Sequence, residues 1–264
     1  MTNLRKYGKP PFNVAVIHGG PGAPGSVAPI ARELSSNWGV LEPFQTATSL
    51  EGQIQELRAV LKKNGDLPLA LIGHSWGALL SFIVSARYSA LIRKLILVGS
   101  GVYEAKYAKE IMNTRLSRLN EDERDEVLSL MEMLHGSSKH DKNTLMAQLG
   151  KLLSKADTYS PITLDSESLE CQFNQSVWKA NSVWEEFEEL RTTGKLMELA
   201  EQIECPVVAI HGDYDSHPLE GIRQPLSPIL KDFRIHLLRN CGHYPWIEKE
   251  ARKEFFEILE EELN

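Results

Sequence analysis

A chain of 264 residues can bury one sizeable core, and its formal net charge of -7, with 29 basic residues scattered among 36 acidic ones, leaves no basic face for a nucleic-acid partner. The longest apolar region, around Leu79 to Ala86, is broken by Ser81 and Ser85 and falls short of the roughly 20 residues that span a bilayer, so no membrane partner is expected and no secretory leader is read at the N-terminus. Cys171, Cys205 and Cys241 are odd in number and widely spaced, which fits neither a disulfide framework nor a C-x-x-C site and points to a reducing, cytoplasmic setting.

Along the chain, short β-branched runs alternate with helical stripes, the pattern of βα units that stack into a parallel sheet. Strands are predicted at Asn13 to Ile17, near Val40 to Leu41, at Leu69 to Ile72, Leu95 to Val98, Val207 to Ile210, and Phe233 to Leu238. Between the second and third, Thr48 and Glu51 read as a capping box, Ile54, Leu57 and Leu61 share a helical face, and Asn64-Gly65 supplies a stop. From Tyr103 to Ala200 the strand signal ceases. One predicted helix there starts at an Asn120 to Glu123 capping box and stacks Val127, Leu130, Met131 and Leu134; another stacks Leu145, Met146, Leu149, Leu152 and Leu153. Such stripes are packing surfaces and carry no chemistry of their own. The acidic run Trp184 to Leu190 reads as a solvated helix face. The expected organisation is a sheet core over residues 1–102 and 201–264 with a helical cap inserted at 103–200.

Chemistry enters at Gly73-His74-Ser75-Trp76-Gly77, where an apolar strand runs straight into G-x-S-x-G and then into the helical pattern Leu79, Leu80, Ile83, Val84. A serine on so tight a strand-to-helix turn is strained and exposed, and only small residues two positions away on each side permit the turn. Serine alone is a poor nucleophile, so a histidine must take its proton and an acid must fix that histidine's tautomer. Both candidates lie just past strand ends, in the chain order serine, acid, base: His211-Gly212-Asp213-Tyr214-Asp215-Ser216-His217-Pro218, and Asn240-Cys241-Gly242-His243.

These residues resemble the α/β-hydrolase family, and through His18-Gly19-Gly20-Pro21-Gly22 and the Trp76 after the serine they resemble its proline iminopeptidase branch, from about Asn13 to the C-terminus. The resemblance implies an α/β-hydrolase fold: a mostly parallel sheet flanked by helices, with an inserted helical cap; because the first convincing strand starts at residue 13, the hairpin that usually precedes it in this family is expected to be absent or reduced. It implies a catalytic triad of Ser75, Asp215 and His243, with Asp215 selected over Asp213 because Gly212, Asp215 and Pro218 match the family's G-x-x-D-x-x-P segment. The backbone N–H groups of Gly20 and Trp76 are the implied oxyanion donors. No cofactor and no metal are needed, and the expected partner is a small-molecule or short-peptide substrate. Two features depart from the iminopeptidase branch: His74 stands where glycine is usual, and Trp178 and Trp184-Glu185 only approximate its cap signature. Fold and triad therefore leave the bond cleaved open, with esters, lactones, thioesters and carbon-carbon bonds all within the family's range.

His74 and His18 read as packing and loop-fixing residues, and His135, His140 and His236 have no motif around them. Two readings from other classes are available. His211, Asp213, Asp215 and His217 alternate as metal ligands could, although a metal leaves the serine and glycine motifs unexplained. A non-catalytic binding protein on the same fold would need none of the triad.

Overall fold

The apolar runs pair into one seven-stranded sheet. In the computed structural model, which describes residues 3–20, 23–135, 141–162 and 177–264, the strands are β1 (Leu4–Tyr7), β2 (Phe12–Ile17), β3 (Gly39–Pro43), β4 (Leu69–His74), β5 (Ile92–Val98), β6 (Val207–Gly212) and β7 (Phe233–Leu238). Their order is β1-β3-β2-β4-β5-β6-β7, with β1 antiparallel to β3 and every other pair parallel. The six expected strands are present, and the reduced N-terminal portion is the single edge strand β1, whose sequence LRKY lacks an apolar run. Pro21, Gly22, His140 and Cys171 lie outside the described residues.

Period-two geometry sends alternate residues of each strand to opposite faces, and both faces are covered. On one side Ala15, Ile17, Leu71, Leu95, Leu97 and Ala209 pack under α2 (Leu50–Asn64) and α3 (Trp76–Arg87). On the other, Val14, Val16, Ile72, Ile96 and Val208 pack under α1 (Ala28–Leu34) and the C-terminal α10 (Arg252–Leu263). Burial on both faces is why the central strands read as continuous apolar runs rather than alternating ones.

Between β5 and β6 the chain forms α4 (Ala105–Ser117), α5 (Glu121–His135), α6 (Lys142–Ala156), α7 (Val177–Thr192) and α8 (Lys195–Ala200); α9 (Glu220–Leu226) follows β6. The two predicted stripes meet each other: Val127 and Leu130 of α5 pack with Leu145 and Leu149 of α6 in a small separate core. The Asn120 capping box forms in both directions, Glu123 N–H donating to Asn120 Oδ1 at 2.9 Å and Asn120 N–H to Glu123 Oε2 at 3.2 Å. The other expected box does not form. Ser49, not Thr48, caps α2, its side chain accepting from Gly52 N–H at 3.1 Å. Thr48 instead gives its carbonyl to Ser182 Oγ, a pairing that adjacent sequence does not reveal. No helix among the described residues is long and apolar enough to cross a membrane.

Because β3 lies on one side of β2 and β4 on the other, the connections leaving β2 and β4 diverge, and their carboxyl ends frame a crevice. Open α/β sheets bind ligands at such switch points.

Candidate active site

β4 passes into α3 through one residue, Ser75, which adopts φ 53° and ψ -115°, a backbone region that side-chain-bearing residues avoid. The turn is pinned on both sides: Ser75 N–H donates to Val98 O at 3.0 Å, and Ser75 O accepts from Ala78 N–H at 3.0 Å. A Cβ on Gly73 would collide with the Gly77 carbonyl, and one on Gly77 with the Ile17 carbonyl, so the elbow tolerates no side chain at either position. The N-terminus of α3 lies directly behind the serine, where its dipole favours negative charge.

His243 sits in the turn after β7 and is buried. Its Nδ1–H donates to Asp215 Oδ2 at 2.8 Å, which leaves Nε2 as the nitrogen with a free lone pair. Asp215, just past β6, is also buried. Burial alone would raise its carboxyl, but His243, His217 and His211 outweigh burial and hold it well below the usual carboxylate range. Asp213 faces elsewhere, with Oδ1 accepting from Cys241 N–H at 3.3 Å and Oδ2 lying 3.6 Å from Arg239.

Ser75, His243 and Gly20 line one cavity of about 440 Å³, whose lining also includes Leu153 and Arg115 from the helices between β5 and β6. Gly20 takes φ 48° in the loop after β2, next to Gly19, which packs closely against His74 and Ser75. That loop is fixed by His18, whose Nδ1–H donates to Gly19 O at 3.0 Å while Nε2 accepts from Gln45 N–H at 3.3 Å. Burial pushes His18 down to about 4, so its imidazole is neutral at pH 7. His74 donates from Nε2 to the His243 carbonyl at 3.0 Å and packs edge-on against Trp246. Both histidines thus build the loops around Ser75. Ser75 Oγ and His243 make no hydrogen bond with one another among the described residues; both line the same cavity.

The alternating His211, Asp213, Asp215 and His217 do not converge as a ligand set. His211 Nε2–H is spent on the His217 carbonyl at 2.8 Å, and Asp213 is turned away. Asp215, His217 and His243 do bring potential ligand atoms within 4.8 Å of one another, but the imidazole nitrogens nearest the carboxylate are engaged in hydrogen bonds to it.

A family model described as alpha/beta hydrolase fold matches residues 21–247. The chain belongs to this family. No curated protein matches it. Solved structures similar to this α/β-hydrolase include the proline iminopeptidase of Mycobacterium smegmatis (18% identity, TM-score 0.65, 98% of this chain and 93% of that one). They also include a serine hydrolase involved in carbazole degradation (18% identity, TM-score 0.63, 98% and 92% covered) and Est816, an N-acyl homoserine lactone degrading enzyme (13% identity, TM-score 0.62, 98% and 95% covered). At these identities what they share with the chain is the fold.

Three parts of the α/β-hydrolase site were not visible in the sequence. Arg115 of α4 forks onto Asp157, with Nε–H at 2.9 Å from Oδ1 and Nη2–H at 2.7 Å from Oδ2. Burial raises the Asp157 carboxyl, and Arg115 more than compensates, so it is held below its ordinary value. Asp157 also accepts from Ser216 Oγ at 2.6 Å, and its carbonyl accepts from His243 N–H at 2.7 Å. Secondly, the fully buried Glu248 carboxylate accepts from the N–H groups of Tyr159, Ser160 and Gly242 at 2.8, 2.8 and 3.0 Å. The segment leaving α6 is therefore laced to the His243 turn. Thirdly, the Trp76 indole donates to Gln53 Oε1 at 3.1 Å and packs edge-on against Phe187 of α7. The acidic run there is thus only partly a solvated face: Phe187 is buried, and Glu186 Oε2 caps α2 by accepting from Leu50 N–H at 2.8 Å.

Proposed function

We propose that this α/β-hydrolase is a serine hydrolase that cleaves a small ester or amide through an acyl-enzyme. The observation that carries the reading is a strained, half-buried elbow serine in the same cavity as a histidine whose Nδ1 is held at 2.8 Å by a buried carboxylate. With Nδ1 committed to Asp215, the His243 Nε2 is left to take the Ser75 proton as its Oγ attacks an acyl carbonyl. Negative charge then develops on the carbonyl oxygen beside the N-terminus of α3, where the Trp76 and Gly20 N–H groups serve as donors, each worth on the order of 10²- to 10³-fold in turnover. His243 returns the proton to the leaving group, and water, activated by the same imidazole, releases the acyl chain. The helices between β5 and β6 act as a cap whose inner wall selects the acyl group, and the substrate is a small molecule or short peptide.

The test is labelling by a fluorophosphonate probe, followed by turnover of short p-nitrophenyl esters and aminoacyl-p-nitroanilides. Labelling of the wild type that vanishes in Ser75→Ala, with turnover reduced by up to roughly 10⁶-fold, supports the mechanism. Undiminished hydrolysis by pure Ser75→Ala refutes it, and preference for the anilides would favour an aminopeptidase over an esterase.

A further inference from the structure

Asp215 serves two imidazoles. Its Oδ2 accepts from His243, while its Oδ1 accepts twice from His217, from the backbone N–H at 2.9 Å and from Nδ1–H at 2.9 Å. The His217 ring also lies flat against the His243 ring, with centroids 4.4 Å apart and planes 19° from parallel. His217 is not among the residues that line the cavity, whereas His243 is. Its backbone is anchored from behind, because its carbonyl accepts from buried His211.

We propose that His217 is a positioning residue that sets the rotation of the Asp215 carboxylate and the plane of the His243 imidazole. The inference rests on the serine-hydrolase reading above. A carboxylate held by a single hydrogen bond can turn about its Cβ–Cγ bond, and a buried oxygen left without donors is costly. Two donors on Oδ1 remove that freedom and leave Oδ2 directed at His243. The stacked ring blocks the other motion, tilting of His243 away from Ser75. Burial and the neighbouring His243 push His217 down to about 4, so at pH 7 it contributes a neutral N–H and places no second cation against His243.

The two contributions separate by substitution. Asparagine can place its Nδ2–H where His217 Nδ1–H lies, keeping the donor without the full ring; phenylalanine keeps a stacking ring without the donor. Displacement of a reacting group by about 1 Å can cost on the order of 100-fold. His217→Phe is expected to lower kcat and the rate of fluorophosphonate labelling by about 10- to 100-fold with KM within about threefold, and His217→Asn to recover most of that loss. In wild-type protein, proton NMR should show low-field Nδ1–H resonances for His217 and His243, and in His217→Phe the surviving His243 resonance should shift or broaden. Thermal melts of both variants check that each is folded. If wild-type Ser75 is not labelled at all, the serine reading and this inference fall together. If it is labelled, and folded His217→Phe reacts at the wild-type rate, or Asn and Phe lose activity equally in step with lost stability, the positioning role alone is overturned.

Discussion

Replacing Glu248 by glutamine changes one atom's chemistry and should cost stability and activity together. The carboxylate is fully buried; Oε1 accepts from Tyr159 and Gly242, and Oε2 from Ser160. The glutamine oxygen can keep the first two bonds, but its NH2 then confronts the Ser160 N–H, donor against donor. Losing one hydrogen bond to a charged group costs about 1.5 to 3 kcal/mol, and the two survivors weaken as the charge is removed, for a total of about 2 to 4 kcal/mol. For a domain of this size each kcal/mol moves Tm by roughly 2 to 4 °C, so a fall of about 4 to 16 °C is expected. Because Gly242 immediately precedes His243, kcat should drop as well. Circular-dichroism melts and ester turnover measured on the same preparation provide the check. A Tm within about 2 °C of wild type, with full activity, would mean that the lacing between the α6 exit and the His243 turn does not stabilise either.

Two further outcomes follow from the same geometry. Asp215→Asn should lower kcat by about 10⁴-fold, since the amide favours the wrong His243 tautomer, whereas Asp213→Asn, which disturbs only the Cys241 N–H and Arg239, should cost far less; the reverse order in steady-state assays would transfer the acid's role to Asp213. Stability should also fall as the medium is acidified from pH 6.5 to 4. His18 and His217 are each depressed to about 4 by burial, so the folded state binds fewer protons than the unfolded chain in that window. Their contribution is fully present above pH 6.5 and is lost as pH falls through their folded values, at up to about 1.4 kcal/mol per pH unit for each group. Asp215, held well below the usual carboxylate range, acts in the same sense at lower pH, its stabilisation present above the unfolded value near 3.8 and lost as pH falls further. Urea titrations at pH 7, 6, 5 and 4.5 measure the slope, and flat stability down to pH 4.5 would contradict neutral burial of the two histidines.

Much of this fold follows from local rules that a linear sequence expresses. Runs such as Leu69 to Ile72 and Val207 to Ile210 are continuous because both faces of a central strand are covered, and the elbow announces itself because Gly73 and Gly77 leave no room for side chains. Strand β1 escaped notice because an edge strand with one neighbour needs no apolar run, and LRKY has none. The Ser49 cap escaped because serine and threonine are equivalent cap formers, and a contact 134 residues away engages the Thr48 carbonyl.

The sequence by itself determined the order and spacing of Ser75, Asp215 and His243, and the parallel sheet whose strand ends present them. Only the tertiary structure decided what surrounds them. Arg115 and Asp157 are separated by 42 residues, Glu248 and Ser160 by 88, and His243 and Asp157 by more than eighty, yet each pair meets in one buried network. No periodicity encodes such pairs. A buried charge finds its partner wherever the fold brings donors to it, and the requirement that it find one operates in three dimensions, through desolvation, rather than along the chain.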